Sequence, residues 1–399
     1  YLERARAELV AVAAFTDWNP SHFLDVAEMT TAVGLGYDWL YPALDAATRT
    51  LLRDAIVEKG LKPSLKSDSW SRGTNNWNQV CNGGMTVGAL AVAESEPALA
   101  AQMVARAVNT VPLSMHEYAP DGAYPEGPSY WGYGTTYNVI LISALQSVLG
   151  TDYGLSAQPG FMASADYYLH VIGPSGYYFN YSDAGRGGSA IAAAMFWFAA
   201  QRQQPYLLWN DWAKLASSGG NRADPLLLLW IAPNQATPPA PPARSWTGRG
   251  VTPVAFHRSG WNRDASFVAI KGGTPSANHA HMDVGAFVMD ADGQRWADDL
   301  GSQDYNSLES AGIKLWGREQ DAERWSVFRL GTSSHNVLQV DGQQQRVTGK
   351  APIVLARDGR TVVDTSSVYA GQLSRAQRGV ALRADRTVLV QDEFTTLAR

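Results

Sequence analysis

The stretch Pro233-Asn234-Gln235-Ala236-Thr237-Pro238-Pro239-Ala240-Pro241-Pro242 divides the chain into two halves of different character. Each proline ring locks φ and removes an amide donor, so this run cannot continue a helix and reads as a stiff linker. Upstream of it the apolar residues follow a 3.6-residue period. Leu2, Ala5, Leu9, Val12 and Ala13 form one such series, and Phe23, Val26, Ala27, Thr30, Val33 and Leu35 form the next. Further apolar helical stretches fall near 46–59, 79–94, 96–117, 132–149, 160–172, 188–203 and 222–232, separated by breaks such as Gly60, Ala119-Pro120-Asp121-Gly122 and Gly173-Pro174. Repeated antiparallel helix pairs of this size fit a bundle, a solenoid or an (α/α) toroid, and periodicity does not choose among them.

Downstream of the linker the period changes to two. Ser266-Phe267-Val268-Ala269-Ile270, Gly285-Ala286-Phe287-Val288-Met289, Asn336-Val337-Leu338-Gln339-Val340 and Thr387-Val388-Leu389-Val390-Gln391 read as strands. Asp292-Gly293, Asp341-Gly342 and Asp358-Gly359 lie between such runs, where hairpin turns belong. The reading is therefore a multidomain chain, α then β: a helical domain over 1–234, a Pro-rich linker over 235–247, and an antiparallel β domain over 248–399, expected to be a sandwich. The last strand run ends close to Arg399, so part of the β domain is expected to lie beyond it. Tyr1 opens directly in helical sequence with no basic n-region and no cleavage site, as in a processed or trimmed chain.

Composition excludes several classes. At 45% hydrophobic and 17% charged residues the chain is too apolar to be disordered. Its longest apolar runs, Ala190 to Ala200 and Leu226 to Ala232, fall short of the roughly 20 residues that span a bilayer. A net charge of −5 gives no global field for nucleic acid, so a polyanion must be met by local cations. Arginine outnumbers lysine, and its fork suits carboxylate or sulfate. The single cysteine, Cys81, rules out an internal disulfide framework and any Cys-rich metal site, and leaves the compartment open.

Three clusters carry the chemistry. Thr74-Asn75-Asn76-Trp77-Asn78-Gln79-Val80-Cys81-Asn82-Gly83-Gly84 sets neutral amides around a Trp at a helix start, which serves either capping and core packing or a carboxylate ligand. Asp121-Gly122-Ala123-Tyr124-Pro125-Glu126-Gly127-Pro128-Ser129-Tyr130-Trp131-Gly132-Tyr133-Gly134 packs aromatics and two carboxylates into one inter-helix loop. It is either a rigid structural loop or a site whose rings face sugars and whose tyrosine moves a proton. The third cluster is split: Asn278-His279-Ala280-His281-Met282-Asp283 puts two histidines on one face if the segment is extended, Asp298-Asp299 follows a hairpin, and Ser334-His335-Asn336 comes later. Two His and one carboxylate make a plausible zinc set, while the bland alternative is strand-end hydrogen bonding. His22, His116, His170 and His257 read as packed or surface residues.

Together these segments resemble the heparinase II/III-like polysaccharide lyases. The likeness rests on Asn75 to Gly84, Tyr124 to Gly134, Asn278 to Phe287, Trp296-Ala297-Asp298-Asp299-Leu300-Gly301, and His335-Asn336-Val337 with Asp341-Gly342, in that order. It implies an incomplete (α/α) toroid followed by antiparallel β-sheets, and a periplasmic or secreted enzyme acting on an acidic polysaccharide without nucleic acid or a membrane span. Such enzymes remove the C5 proton of a uronate and expel the 4-linked sugar oxygen, which requires the neighbouring carboxylate to be neutralised. By resemblance Asn76, with Asn78 as a second candidate, does this. Tyr130 protonates the leaving oxygen or serves as both base and acid, and His279 is the second base or a carboxylate contact. No histidine lies between Asn76 and His116, which strengthens Tyr130 and His279. Tyr124, Glu126, Trp131 and Tyr305 are further substrate contacts. His281, Asp299 and His335 match the family's zinc set, with Asp298 as the neighbouring alternative, and the ion is structural. The implied substrate is a glycosaminoglycan such as heparan, chondroitin or hyaluronan, or alginate. Two other classes stay open: an inverting glycoside hydrolase using Glu126 and Asp121, and a non-catalytic polyanion-binding protein.

Overall fold

The computed structural model describes residues 1–187, 190–216, 224–231 and 236–398. Pro233, Asn234 and Gln235 of the linker, the start of the 188–203 stretch and both ends of the 222–232 stretch lie outside the described residues. By internal contacts the chain forms two compact units, one of Tyr1–His116 with Tyr133–Gln158 and one of Glu117–Gly132 with Pro159–Arg399. Helices therefore give way to strands near the linker, but the helices after Pro159 pack with the strands. Periodicity reports the type of an element and not the neighbour it packs against.

In the first unit the helices are α1 (Leu2–Ala13), α2 (Phe23–Leu40), α3 (Ala46–Ala55), α4 (Asn76–Ala91), α5 (Pro97–Met115) and α6 (Thr136–Leu149). Helix α3 starts on an Asp45 cap that accepts from the Thr48 amide at 2.8 Å and runs on as a π-helical turn over Ile56–Leu61. Helix α4 is buried nearly all round and packs against α2, α5 and α6. Gly84 makes the α2 crossing possible, since a Cβ there would lie 2.3 Å from the Ala27 carbonyl oxygen. Trp18, Phe23, Trp70, Cys81, Met85 and Tyr137 share the core.

The second unit holds α7 (Ser164–Val171), α8 (Ala193–Arg202) and two antiparallel sheets. The first sheet runs in order through β1 (Ser245–Gly248), β2 (Val254–Arg258), β3 (Phe267–Lys271), β4 (Phe287–Ala291) and β5 (Gln294–Ala297). The second runs through β6 (Ile353–Arg357), β7 (Arg360–Asp364), β8 (Leu373–Leu382) and β9 (Val388–Thr396). Ala255, Val268 and Ile270 of one sheet meet Val363, Ala376 and Val380 of the other, which makes the expected sandwich. The outer face of the first sheet is also covered: Tyr167 of α7 lies against Trp246 and Phe256. That is why β2 and β3 are buried along their whole length. Helical sequence followed by antiparallel strands is thus the observed order.

Two turns behave as read. Asp292-Gly293 joins β4 to β5 and Asp358-Gly359 joins β6 to β7, each pair with positive φ at both residues, as a type I′ hairpin demands. Two expectations change. Strand β1 begins at Ser245, inside the stretch assigned to the linker. Asn336 to Val340 is not a strand, because the Asn336 side chain takes the place of a strand partner, accepting from the Phe287 amide at 3.0 Å and donating to its carbonyl at 2.8 Å.

His257 ties the two sheets together, with Nδ1 2.9 Å from Ser245 Oγ and Nε2 2.7 Å from Thr361 Oγ1. Burial pulls its pKa from 6.5 down to about 4. Between those values the unfolded chain binds the proton and the folded chain does not, so stability falls as pH drops from 6.5 toward 4. The expected loss is about 3 kcal/mol. Thermal melts across this window should show a shallower acid loss for His257→Gln than for the wild type; parallel curves would contradict the assignment.

Candidate active site

The second unit gathers most of the residues singled out in the sequence. The loop carrying Tyr124 to Trp131 is fastened to the 179–187 segment: Tyr181 donates its hydroxyl to the Tyr124 carbonyl at 2.6 Å, and the Gly185 amide donates to Ser129 Oγ at 3.1 Å. Gly127 sits at φ 84°, where a Cβ would meet the Tyr181 carbonyl at 2.6 Å. Tyr130 ends the short helix Pro128–Tyr130 that follows, so its position is set by a loop with little freedom.

The Tyr130 ring stacks on the His279 ring, with centroids 4.0 Å apart and planes 21° from parallel. Its hydroxyl lies 3.0 Å from that of Tyr305, the first residue of α9 (Tyr305–Ser310). Tyr305 in turn lies 3.1 Å from His279 Nδ1, and Glu126 Oε2 lies 3.5 Å from His279 Nε2. Tyr130, His279, Tyr305 and Glu126 are therefore one cluster. Burial pushes the Tyr130 phenol well above its ordinary pKa; the hydrogen bond from Tyr305 opposes this, and the charges of Asp183 and Glu126 reinforce it. Tyr305 is raised further, by burial first and then by Asp183. Both groups rest as neutral phenols, ready to donate a proton.

The segment from Asn278 to Asp283 is a loop, so the condition for placing both histidines on one strand face is not met, and His279 has a φ of 58°. Its backbone partners come from separate places: the His279 carbonyl accepts from the Asp183 amide, the Ala280 carbonyl from Arg324, and the Met282 amide donates to Leu330. No single neighbouring strand can form a ladder with it. The two histidines converge instead on Asp183, whose Oδ2 lies 2.9 Å from His279 Nδ1 and whose Oδ1 lies 2.9 Å from His281 Nε2.

Beyond His281 lies a buried polar group. Asp283, Asp299 and His335 each present an atom within 4.8 Å of the others. His335 Nδ1 is 3.0 Å from Asp299 Oδ2, and Lys271 donates to Asp283 Oδ1 at 2.6 Å. The His281 and His335 rings lie 5.6 Å apart. Among the described residues His281 Nδ1, His335 Nε2 and Asp283 Oδ2 have no hydrogen-bond partner although all are buried. Orphaned imidazole nitrogens beside carboxylate oxygens suit a divalent cation such as zinc. Burial opposes charge on His335, but the hydrogen bond and charge of Asp299 outweigh it and hold its pKa above the ordinary value. The compact group differs from the expected one: Asp283 joins Asp299 and His335, while His281 stands outside their 4.8 Å grouping. Asp298, the alternative carboxylate, turns away to Arg186 and Arg295.

Other expected residues fall elsewhere. Asn78 is buried in α4 and spends its amide on the carbonyls of Ser71, Gly73 and Thr110 at 2.8–3.0 Å, while its Oδ1 accepts from Asn82. It ties α4 to α5 and a loop, which corrects its expected role as a substrate contact. Tyr124 and Trp131 are buried too, Trp131 stacked on Tyr168 at 4.2 Å and Tyr124 against Tyr118 at 5.2 Å, so their faces meet protein and not solvent. Asp121 accepts from the Arg249 amide with both oxygens at 3.0 Å. Asn76 begins α4 in the first unit and is buried. Sequence reading missed Asp183, Lys271, Arg324 and Trp316. Trp316 is half exposed and meets His279 and Tyr305 edge-on at 5.5 and 5.2 Å.

A helical region leading into an antiparallel sandwich, with a tyrosine–histidine centre above a buried His/Asp group, defines the class to which the comparisons speak. Residues 249–399, which contain the motifs at Asn278, Trp296 and His335 but not those at 75–84 and 124–134, match the family model described as Heparinase II/III-like, C-terminal. The chain is similar to the solved heparan sulfate lyase HepC from Pedobacter heparinus, at 16% identity and TM-score 0.63, over 96% of this chain and 54% of that one. A heparinase III with methylated lysines gives 17% identity and TM-score 0.63 over the same shares, and another heparinase III gives 13% and 0.62 over 94% and 55%. At such identities the likeness is one of fold, and the chain spans about half the length of these structures. No curated protein sequence matches the chain.

Proposed function

We propose that the protein is a polysaccharide lyase that cleaves a uronic-acid-containing polysaccharide by β-elimination. The observation that carries this reading is the stack of Tyr130 on His279 with Tyr305 bonded to both. Elimination needs a proton donor at the leaving oxygen and a base or carboxylate contact at C5, and no second carboxylate activating water. A buried phenol held protonated supplies the first. The His279 imidazole supplies the second, with Glu126 beside its other nitrogen. Asn76 neutralises the uronate carboxylate, since an amide donates without titrating and so lowers the cost of charge arriving in the enolate-like state. The substrate is a glycosaminoglycan such as heparan, chondroitin or hyaluronan, or alginate, met outside the cytoplasm. His335, Asp299 and Asp283, with His281 alongside, would hold a zinc ion, which would serve as a structural clamp.

A screen against heparan sulfate, chondroitin sulfate, hyaluronan and alginate tests the proposal. Turnover is expected to raise ultraviolet absorbance, because elimination leaves a conjugated double bond in the sugar. New reducing ends without that absorbance would mean hydrolysis, and salt-sensitive binding without shortening would mean a binding protein.

A further inference from the structure

We propose that Asp183 is a shared positioning residue, one buried carboxylate that fixes His279 and His281 in opposite tautomers and thereby sets proton transfer and metal binding together. What His279 does rests on the lyase reading; the geometry at Asp183 does not.

The carboxylate spans both rings, Oδ2 to His279 Nδ1 and Oδ1 to His281 Nε2, each at 2.9 Å. Each carboxylate oxygen faces one ring nitrogen at hydrogen-bond distance and the Arg324 guanidinium stands 4.0 Å away, so both oxygens are placed to accept. The hydrogens must then lie on the imidazoles, on Nδ1 of one and Nε2 of the other. A neutral imidazole carries a single N–H. Where the rings are neutral, the lone pairs fall on Nε2 of His279, 3.5 Å from Glu126 Oε2, and on Nδ1 of His281, the buried nitrogen that lacks a hydrogen-bond partner among the described residues.

The local backbone is built around this contact. The Asp183 amide donates to the His279 carbonyl at 3.1 Å, so the two segments are joined by main chain as well as side chain. Ser182 and His279, at the two ends of the contact, hold φ of 60° and 58°, a region in which non-glycine residues are strained. Arg324 stands 4.0 Å from Asp183 Oδ2 and donates to the Ala280 carbonyl between the two histidines, supplying a countercharge without displacing either ring. A carboxylate that orients a metal-binding imidazole from behind changes metal affinity by about 10–100-fold.

The test is Asp183→Asn in the full chain, with zinc as the metal probe. Turnover should fall about 10²-fold or more with KM little changed, and zinc affinity, read by chelator competition, should fall about 10–100-fold. Retention of both, or loss of only one, overturns a shared role, and so does a wild-type protein that takes up no zinc. If the variant does not fold, the metal-free wild type labelled with heavy nitrogen in histidine decides by NMR. His279 protonated on Nδ1 and His281 on Nε2 supports the proposal, and either ring in the other tautomer overturns it. A wild type with these tautomers that cleaves no uronate polysaccharide would sink the lyase reading and leave the Asp183 assignment standing.

Discussion

Tyr130→Phe is expected to lower kcat by about 10²–10⁴-fold, the range for a lost proton donor or acceptor in the transition state. The substitution removes one oxygen and keeps the ring that stacks on His279 at 4.0 Å. What the fold loses is the 3.0 Å contact to the Tyr305 hydroxyl, about 1 kcal/mol. The variant should therefore melt within a few degrees of the wild type and bind substrate with similar KM. Steady-state kinetics beside a thermal scan separate the two effects. Normal turnover in the variant would show that this phenol moves no proton, and a large fall in melting temperature would assign its value to structure.

His281→Ala acts at a different level. The ring is fully buried, and its removal takes one nitrogen from Asp183 and another from the orphaned set beneath the site. Leaving one oxygen of the buried Asp183 carboxylate without its donor costs about 1–3 kcal/mol. If the orphaned Nδ1 is a ligand to zinc, its loss should weaken zinc by more than the 10–100-fold typical of an outer partner. Melting temperature and zinc content are expected to fall together, and added zinc should raise the melting temperature of the wild type more than that of the variant. Loss of stability with zinc binding unchanged would place His281 outside the ion's surroundings, consistent with the tighter grouping of Asp283, Asp299 and His335.

Legibility in the sequence followed the range of the physics behind each signal. Helices α1 to α6 and strands β3, β4 and β9 came from periodicity, which acts over a few residues and survives any packing. The turns at Asp292-Gly293 and Asp358-Gly359 came from the same local rule, since positive φ at two successive positions limits the residues that fit. The loop at His279 was hidden because its conformation is held by Asp183, Arg324 and Leu330, none of them near in sequence. Asn78 and Trp131 misled for a related reason. An amide or a ring in a motif looks the same in sequence whether it meets a sugar, a carbonyl or another ring.

Asp183 shows what could have been found. It lies in Asn180-Tyr181-Ser182-Asp183-Ala184-Gly185-Arg186-Gly187, a polar, glycine-rich break between apolar helical stretches and the sole carboxylate in it. Loops of that kind carry function often enough to mark their charged residue as a candidate. Asp283 was in view within the His279 motif, but nothing local shows that the Lys271 ammonium and the His335 ring close around it.

Cleavage carried out in heavy-oxygen water, followed by mass spectrometry of the fragments, addresses the chemistry assigned to Tyr130 and His279 most directly. Elimination breaks the chain without adding water, so the account requires one fragment lighter by a water molecule than its hydrolytic counterpart, with heavy oxygen entering only by slow exchange at reducing ends. Fragments that all carry the full mass of an added water would contradict it.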